Sequence, residues 1–444
     1  MDKFQTLKIE SFSNSGEGIG KLDGFVVFVE NALPDELVEV EVIKENKNFA
    51  KAKILNILEP SKHRTAPFCA LYNACGACSL QYADYNYQLE LKKIIVQDAM
   101  KNIAGLDVEV NDVLPSPQTK EFRCKIQYPL AQTKVSKRIL AGYYKLKSHD
   151  LTNIKHCPIQ PKICDEIIDF VRTKGQELNL TCYDEKSKLG ILRHIVIRHS
   201  SFNGDNLVTI VVNDNKIHYS VKKLAIELFE NFQDVKGVLV NFNESKSNLI
   251  LGNVSELLIG EETIEEKILD KIFKIGSTTF FQVNPKSAEN IFKYVKSNIS
   301  ANDTVLDAYA GIASFGIVVS DVAKSVVSIE ENNASTDLAQ EVLKINNIQN
   351  VEIRNGDTGK FLKTTNEKFD VIILDPPRKG CDITTLDETL RLSNGKIIYV
   401  SCNPATLARD LKYLVQKGVK VKSVQPFDMF CHTLHVETVA IIEK

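Results

Sequence analysis

The chain has 444 residues, 43% of them apolar and 25% charged, with a formal net charge of −2. That length calls for roughly two to four domains, and the composition is that of a folded globular protein rather than a disordered or fibrous one. No apolar stretch reaches the roughly 18–20 residues that span a bilayer, no charged segment followed by an apolar run opens the chain as a secretory signal would, and the near-neutral charge excludes a surface that is basic throughout.

Residues 1–60 read as a small β-barrel module. Phe25–Val29, Leu37–Ile43 and Ala52–Leu58 are predicted strands, the second cleanly alternating. Gly16, Gly18 and Gly20 predict a loop from which side chains must be absent, and Glu59-Pro60-Ser61-Lys62 predicts a linker. Residues 61–265 then form a central α+β domain. It opens on three close cysteines, Cys69, Cys75 and Cys78, with Cys157 following in His156-Cys157-Pro158. A chain in a reducing compartment does not use ten cysteines as disulfides. The close trio suits thiolate ligation of an iron–sulfur cluster or of zinc, and its spacing differs from the C-x3-C-x2-C of radical enzymes. Cys124, Cys164 and Cys182 read instead as buried thiols. A helix is predicted over roughly residues 85–102, and Ile195–His199 and Leu207–Val212 read as neighbouring strands.

Lys120, Arg123, Lys125, Lys134, Lys137, Arg138, Lys145, Lys147 and Lys155 are opposed within their segment only by Glu121 and Asp150, with Phe122, Tyr128, Tyr143 and Tyr144 between them. Basic residues interleaved with aromatics suit a surface that follows phosphates and stacks bases. A solvated sheet face is the plainer reading.

Residues 266–444 carry a regular βαβ pattern, hence a doubly wound Rossmann-like domain and an α/β fold class. Thr304–Asp307 is a strand, and Ala308–Ser314 a small-residue loop opening a helix. Ser325–Ile329 ends in Glu330, and Val351–Ile353 leads to Asp357. Acids at strand ends in this order suit a nucleotide's ribose and base, although helix capping explains them too. Two motifs carry the chemistry. Val371-Ile372-Ile373-Leu374 leads into Asp375-Pro376-Pro377-Arg378-Lys379-Gly380, and Ile397-Ile398-Tyr399-Val400 leads into Ser401-Cys402-Asn403-Pro404. Each lies where a buried strand ends, the side on which open α/β sheets bind ligands. A cysteine there is a candidate nucleophile, Asp375 a candidate orienting carboxylate, and Glu437 in His435-Val436-Glu437 a candidate base.

Together these motifs resemble the RNA uracil-5-methyltransferase family, in its iron–sulfur, TRAM-containing branch (RlmD/RlmC type) that acts on 23S ribosomal RNA. Phe280-Phe281-Gln282-Val283-Asn284 and Asp428-Met429-Phe430 belong to the same resemblance. It implies a TRAM RNA-binding module at the N-terminus. It implies a 4Fe–4S cluster on Cys69, Cys75, Cys78 and Cys157, Cys402 as nucleophile and Glu437 as base. It places Gln282, Tyr309, Glu330, Asp357 and Asp375 around S-adenosylmethionine and the target base. It further implies a cytoplasmic, monomeric RNA-modifying enzyme with no membrane association. Ala313 stands where a second glycine is common in the cofactor loop, Cys124 where asparagine is usual, and Cys431 where proline is usual. A tRNA substrate is the main alternative. A non-catalytic RNA-binding factor is opposed by the intact Cys402 and Glu437. A cytosine-5 enzyme would carry cysteine where Pro377 stands.

Overall fold

The computed structural model describes residues 3–146 and 148–444; Lys147, counted in the basic segment, and the first two positions of the β-module lie outside them. The chain forms two compact units. One contains residues 3–72, 78–116 and 374–444, the other residues 73–77 and 117–373. The cut therefore falls inside both the 61–265 and the 266–444 segments.

In the first unit, β1 (Phe4–Phe12), β2 (Glu17–Leu22), β3 (Phe25–Glu30), β4 (Leu37–Glu45) and β5 (Phe49–Glu59) close into a barrel of order β1-β2-β3-β5-β4. Alternation along the strands fills it with Leu7, Ile9, Val27, Val29, Val38, Val40, Ala50 and Ala52. Gly18 and Gly20 are strand residues of β2, which corrects the expected loop. A Cβ at residue 18 would stand 2.8 Å from the Ala32 methyl, and one at residue 20 would stand 2.4 Å from Leu7 Cδ1. The tight barrel wall excludes side chains there. Only Gly16, with φ +85°, sits in the turn. The expected linker is pinned: buried Glu36 accepts from Ser61 N and from the Arg64 guanidinium.

Helix α1 (Tyr85–Asp98) starts where Asp84 accepts a hydrogen bond from Tyr87 N at 3.0 Å, and it runs into a π-helical turn, Ala99–Ala104. Leu80, Tyr82, Tyr87, Leu91 and Ile95 share a core with Phe12 and Leu33 of the barrel.

The second unit holds a seven-stranded sheet with β6 (Lys125–Gln132), β7 (Ile139–Tyr144), β8 (Leu151–Asn153), β9 (Leu192–His199), β10 (Asn206–Val212), β11 (Val235–Phe242) and β12 (Val254–Gly260), in the order β12-β11-β10-β9-β6-β7-β8. Helices α2 (Lys162–Glu177) and α3 (Tyr219–Asn231) accompany it, and β13 (Thr263–Ile268) and β14 (Lys271–Gly276) form a hairpin. As expected, β9 and β10 are neighbours; they run antiparallel. Next, α4 (Pro285–Ser297) is started by Asn284 and by Pro285 at its first position.

The doubly wound part contains β15 (Thr304–Ala308), α5 (Ser314–Val319), β16 (Ser325–Glu330), α6 (Asn333–Ile345), β17 (Val351–Asn355), α7 (Thr358–Thr364), β18 (Phe369–Leu374), α8 (Ile383–Leu392), β19 (Ser393–Ser401), α9 (Pro404–Gln416), β20 (Lys420–Phe427) and β21 (Glu437–Glu443). In the second unit the strand order is β17-β16-β15-β18, and in the first it is β19-β21-β20. Strands β15, β16 and β17 pair in parallel, whereas β21 pairs antiparallel with both β19 and β20. The α/β class, the closed barrel and the doubly wound sheet are those expected from the sequence.

Candidate active site

In the first unit, Cys402 sits between the end of β19 and Asn403, the N-cap of α9. The Asn403 side chain accepts from Ala405 N at 3.1 Å, and Pro404 fills the first helical position. The same Asn-Pro chemistry that starts α4 thus fixes the cysteine beside a helix N-terminus. The loop after Asp375 is clamped by α9. Asp410, 2% exposed, accepts from Cys381 N at 2.9 Å and from the Tyr399 hydroxyl at 2.6 Å. Arg409 donates to the Lys379 carbonyl at 2.9 Å. Gly380 has φ +74°, and a Cβ there would lie 2.5 Å from Asp410 Oδ2, so this turn needs glycine.

The clamp delivers Arg378 to the cysteine. The Arg378 charge opposes the rise in the thiol's pKa. Burial is the larger influence and pushes the thiol up, with Glu437 and Asp375 adding to it. Glu437, the first residue of β21, is 8% exposed. Burial raises its carboxyl to about 8; Asp375 adds to the shift and Arg378 opposes it. Cys402, Glu437, Asp375 and Arg378 therefore act on one another electrostatically. Of the four, Glu437 is buried, Cys402 and Asp375 are half-buried and Arg378 is exposed; a perturbed thiol beside a perturbed carboxyl is what nucleophilic and acid–base chemistry uses. Arg378 carried no separate role in the sequence reading, although it lies inside the motif. Cys402 opens onto a cavity of about 330 Å³, lined also by Asn14, Ile95, Ala99, Arg378, Leu434 and His435.

The terminal loop is held from α1. Lys92 and Asp428, both buried, form an ion pair; the Tyr85 hydroxyl donates to Asp428 at 2.7 Å, and Lys92 also donates to the Phe430 carbonyl at 3.0 Å. The His432 carbonyl accepts from Ser79 N and Leu80 N at 2.8 and 2.9 Å. Lys92 and Tyr85 belong to no recognisable motif, and nothing in the sequence pairs them with a residue more than 300 positions away. Cys431 is fully buried, and burial, with Asp428 adding to it, pushes its thiol up to about 12.

In the second unit, Tyr309, Glu330 and Asp357 gather at the carboxyl ends of β15, β16 and β17. Glu330 accepts from Gly311 N and Asn332 N, both at 2.9 Å, which fixes its carboxylate across the small-residue loop. Asp357 caps α7, accepting from Lys360 N at 2.7 Å. Tyr309 and Ala313 have φ values of +64° and +57°. The left-handed turn explains why glycine suits position 313. Asp307 is fully buried; its Oδ2 accepts from Gly316 N at 2.9 Å and Ser328 Oγ at 3.1 Å, and its Oδ1 has no partner. Burial lifts its carboxyl to about 7. A fixed strand-end carboxylate and an orphaned buried oxygen suit the hydroxyl and amino groups of S-adenosylmethionine. Gln282 is half-buried in this unit, where Val283 O accepts from Cys124 N at 2.7 Å.

All ten cysteines are free of disulfides. Cys69, Cys75 and Cys78 are half-buried and Cys157 is buried. Among the described residues, no group of three or more His, Cys, Asp or Glu side chains is gathered as a metal site. Cys69 and Cys78 belong to the first unit, Cys75 and Cys157 to the second, where both act on Tyr143.

The basic segment divides in two. Phe122 and Tyr128 are core residues, and Tyr128 packs edge-on against Tyr143 at 4.7 Å, so these rings are not free for bases. Arg123 donates to the Tyr143 hydroxyl at 3.3 Å. Lys134, Lys137 and Arg138, in contrast, are exposed at the turn between β6 and β7. No helix among the described residues is long and apolar enough to cross a membrane.

A family model described as tRNA (Uracil-5-)-methyltransferase matches residues 84–444, and a TRAM domain model matches residues 3–55. A protein of Clostridium tetani named uncharacterized RNA methyltransferase is 37% identical over 441 residues, 98% of this chain and 95% of its own. One of Oceanobacillus iheyensis with the same description is 37% identical over 446 residues, covering 99% and 96%. Among solved structures, the Pyrococcus abyssi tRNA (uracil-54, C5)-methyltransferase in complex with S-adenosyl-L-homocysteine aligns with a TM-score of 0.79 at 27% identity, over 99% of this chain and 100% of that one.

Proposed function

We propose, from the premise that this chain belongs to the tRNA (uracil-5-)-methyltransferase family, that it methylates C5 of a uridine in 23S ribosomal RNA, with Cys402 as nucleophile and Glu437 as base. The coarser activity follows from membership: the chain is an S-adenosylmethionine-dependent RNA methyltransferase. The observation that carries the residue roles is the strand-end Cys402 lining one cavity with Arg378 and with Val436, the neighbour of Glu437.

Uracil C5 is a weak nucleophile. Addition of the Cys402 thiolate at C6 makes C5 an enolate carbon, and cysteine is also a good leaving group. Arg378 stabilises the thiolate that burial disfavours. S-adenosylmethionine supplies an electrophilic methyl group; Gln282, Tyr309, Glu330, Asp357 and Asp375 are the residues proposed to bind it and the base. Glu437 then removes the remaining C5 proton, a step worth about 10²–10⁴-fold, and Cys402 is eliminated. The ionised form of Glu437 is the one that accepts the C5 proton, and a carboxyl raised to about 8 is a stronger base than an ordinary one. Extruding the base costs a few kcal/mol. Lys134, Lys137 and Arg138, together with Lys44 and Lys47 of the TRAM module, offset this through phosphate contacts.

The four cysteines Cys69, Cys75, Cys78 and Cys157 are proposed to hold a structural 4Fe–4S cluster. This part rests on the motif resemblance, and no catalytic step passes through it. Ten cysteines without a disulfide suit a reducing cytoplasm, and the enzyme is proposed to act as a monomer. The Pyrococcus abyssi structure favours a second reading, a tRNA substrate. Mass-spectrometric mapping of 5-methyluridine in 23S rRNA and tRNA from a strain lacking the gene decides: loss from rRNA supports the first reading, loss from tRNA alone the second, and loss from neither contradicts both.

A further inference from the structure

The cavity at Cys402 is not built from the methyltransferase fold alone. Asn14, in the turn between β1 and β2 of the barrel, lines it together with Cys402 and Arg378. Ile95 and Ala99, from α1 and the π-helical turn, supply an apolar wall. The cavity is open to the half-buried Cys402.

The turn is rigid. Ser13 N donates to the Glu17 carbonyl at 2.8 Å, Gly16 N to the Ser13 carbonyl at 3.0 Å, and Glu17 N to Ser13 Oγ at 3.0 Å. Ser15 Oγ and Lys51 Nζ both reach the Glu17 carboxylate, at 2.7 and 2.8 Å. The turn also packs against the catalytic motif. A Cβ at Gly16 would lie 2.2 Å from Leu434 Cδ1, and Leu434 N donates to Ser79 Oγ at 3.1 Å, three residues before Glu437. Asn14 itself is exposed, and its amide makes no hydrogen bond to any described residue. An unspent amide on a fixed turn at the mouth of a nucleophile's cavity is a preorganised recognition group. Asparagine carries both donors and an acceptor, the combination that reads base edges.

We propose that Asn14 hydrogen-bonds the base of a nucleotide flanking the target uridine, so that the TRAM turn contributes a sequence-specificity determinant to the active site. The inference rests on the uridine-methylation reading. Asn14 is exposed whereas Cys402, in the same cavity, is half-buried, which assigns Asn14 to the flanking base and not to the reacting one.

The test uses full-length protein and transcripts of the RNA fragment containing the mapped uridine, with each of the four bases placed on either side. Expected is about a 10-fold preference of the wild type for one flanking base. Asn14→Ala should reduce that preference to within about 2-fold, while S-adenosylmethionine affinity and the thermal midpoint stay unchanged. Asn14→Asp should change which base is preferred, because it replaces the two donors by an acceptor. If Asn14→Ala keeps the wild-type preference, or if the wild type methylates every flank equally, the inference is overturned and the methylation reading stands. If the wild type methylates no transcript and forms no adduct with 5-fluorouridine RNA, the reading fails and the inference falls with it.

Discussion

Replacing Glu437 by glutamine tests the electrostatic reading of the site. Its carboxyl is raised from 4.5 to about 8, first by burial and then by Asp375. The folded state thus holds this proton more tightly than the unfolded chain does. The contribution to stability is intact below pH 4.5, is lost as pH rises towards 8, and is constant above. At 1.36 kcal/mol per tenfold in proton affinity, the full loss is about 5 kcal/mol, an upper bound. Glutamine keeps the shape and does not ionise. Glu437→Gln should therefore be more stable than the wild type, with the gap widening by up to about 3 kcal/mol between pH 5.5 and 8.5. Urea midpoints at the two pH values measure it. In the same variant, thiolate addition and methyl transfer should proceed and then stall, leaving a covalent RNA complex on a denaturing gel. A stability gap independent of pH, or turnover at the wild-type rate, refutes the reasoning.

Three further perturbations address the scaffold and the cysteines. Lys92→Met leaves Asp428 buried without its ion-pair partner and should cost about 3–5 kcal/mol, with most of the loss recovered in a Lys92→Met, Asp428→Leu double variant; urea midpoints read both. Ala313→Gly removes a left-handed alanine and should raise the thermal midpoint, worth up to about 1 kcal/mol after the entropic cost of glycine. Protein purified without oxygen should be brown and carry about four irons per chain, lost in Cys78→Ala; stoichiometric zinc without visible absorbance would instead support the tetrahedral alternative.

The parts of this molecule that were legible in the sequence share a physical origin. Asn284-Pro285 and Asn403-Pro404 are local helix starts, so the residues beside them could be placed from sequence. Uninterrupted β-branched runs marked β18 and β19. Strands β1 and β2 were missed because their pattern is carried by tertiary packing: Gly18 and Gly20 look like loop residues until Ala32 and Leu7 are seen to occupy the space. Phe122 and Tyr128 looked available to bases because alternation shows which residues share a face and not which face is covered. The Lys92–Asp428 pair and the Asn14 turn depend on contacts between distant segments, to which no local pattern points. Asp357, a strand-end acid, caps a helix.

The central claim is that Cys402 attacks C6 of a uridine. Incubating the protein with S-adenosylmethionine and RNA carrying 5-fluorouridine at the mapped site replaces the C5 proton by fluorine, which Glu437 cannot remove. The account predicts a stable protein–RNA adduct whose nucleotide maps by mass spectrometry to the peptide containing Cys402, and no adduct from Cys402→Ser. An adduct on another residue such as Cys381, or turnover retained by Cys402→Ser, would contradict it.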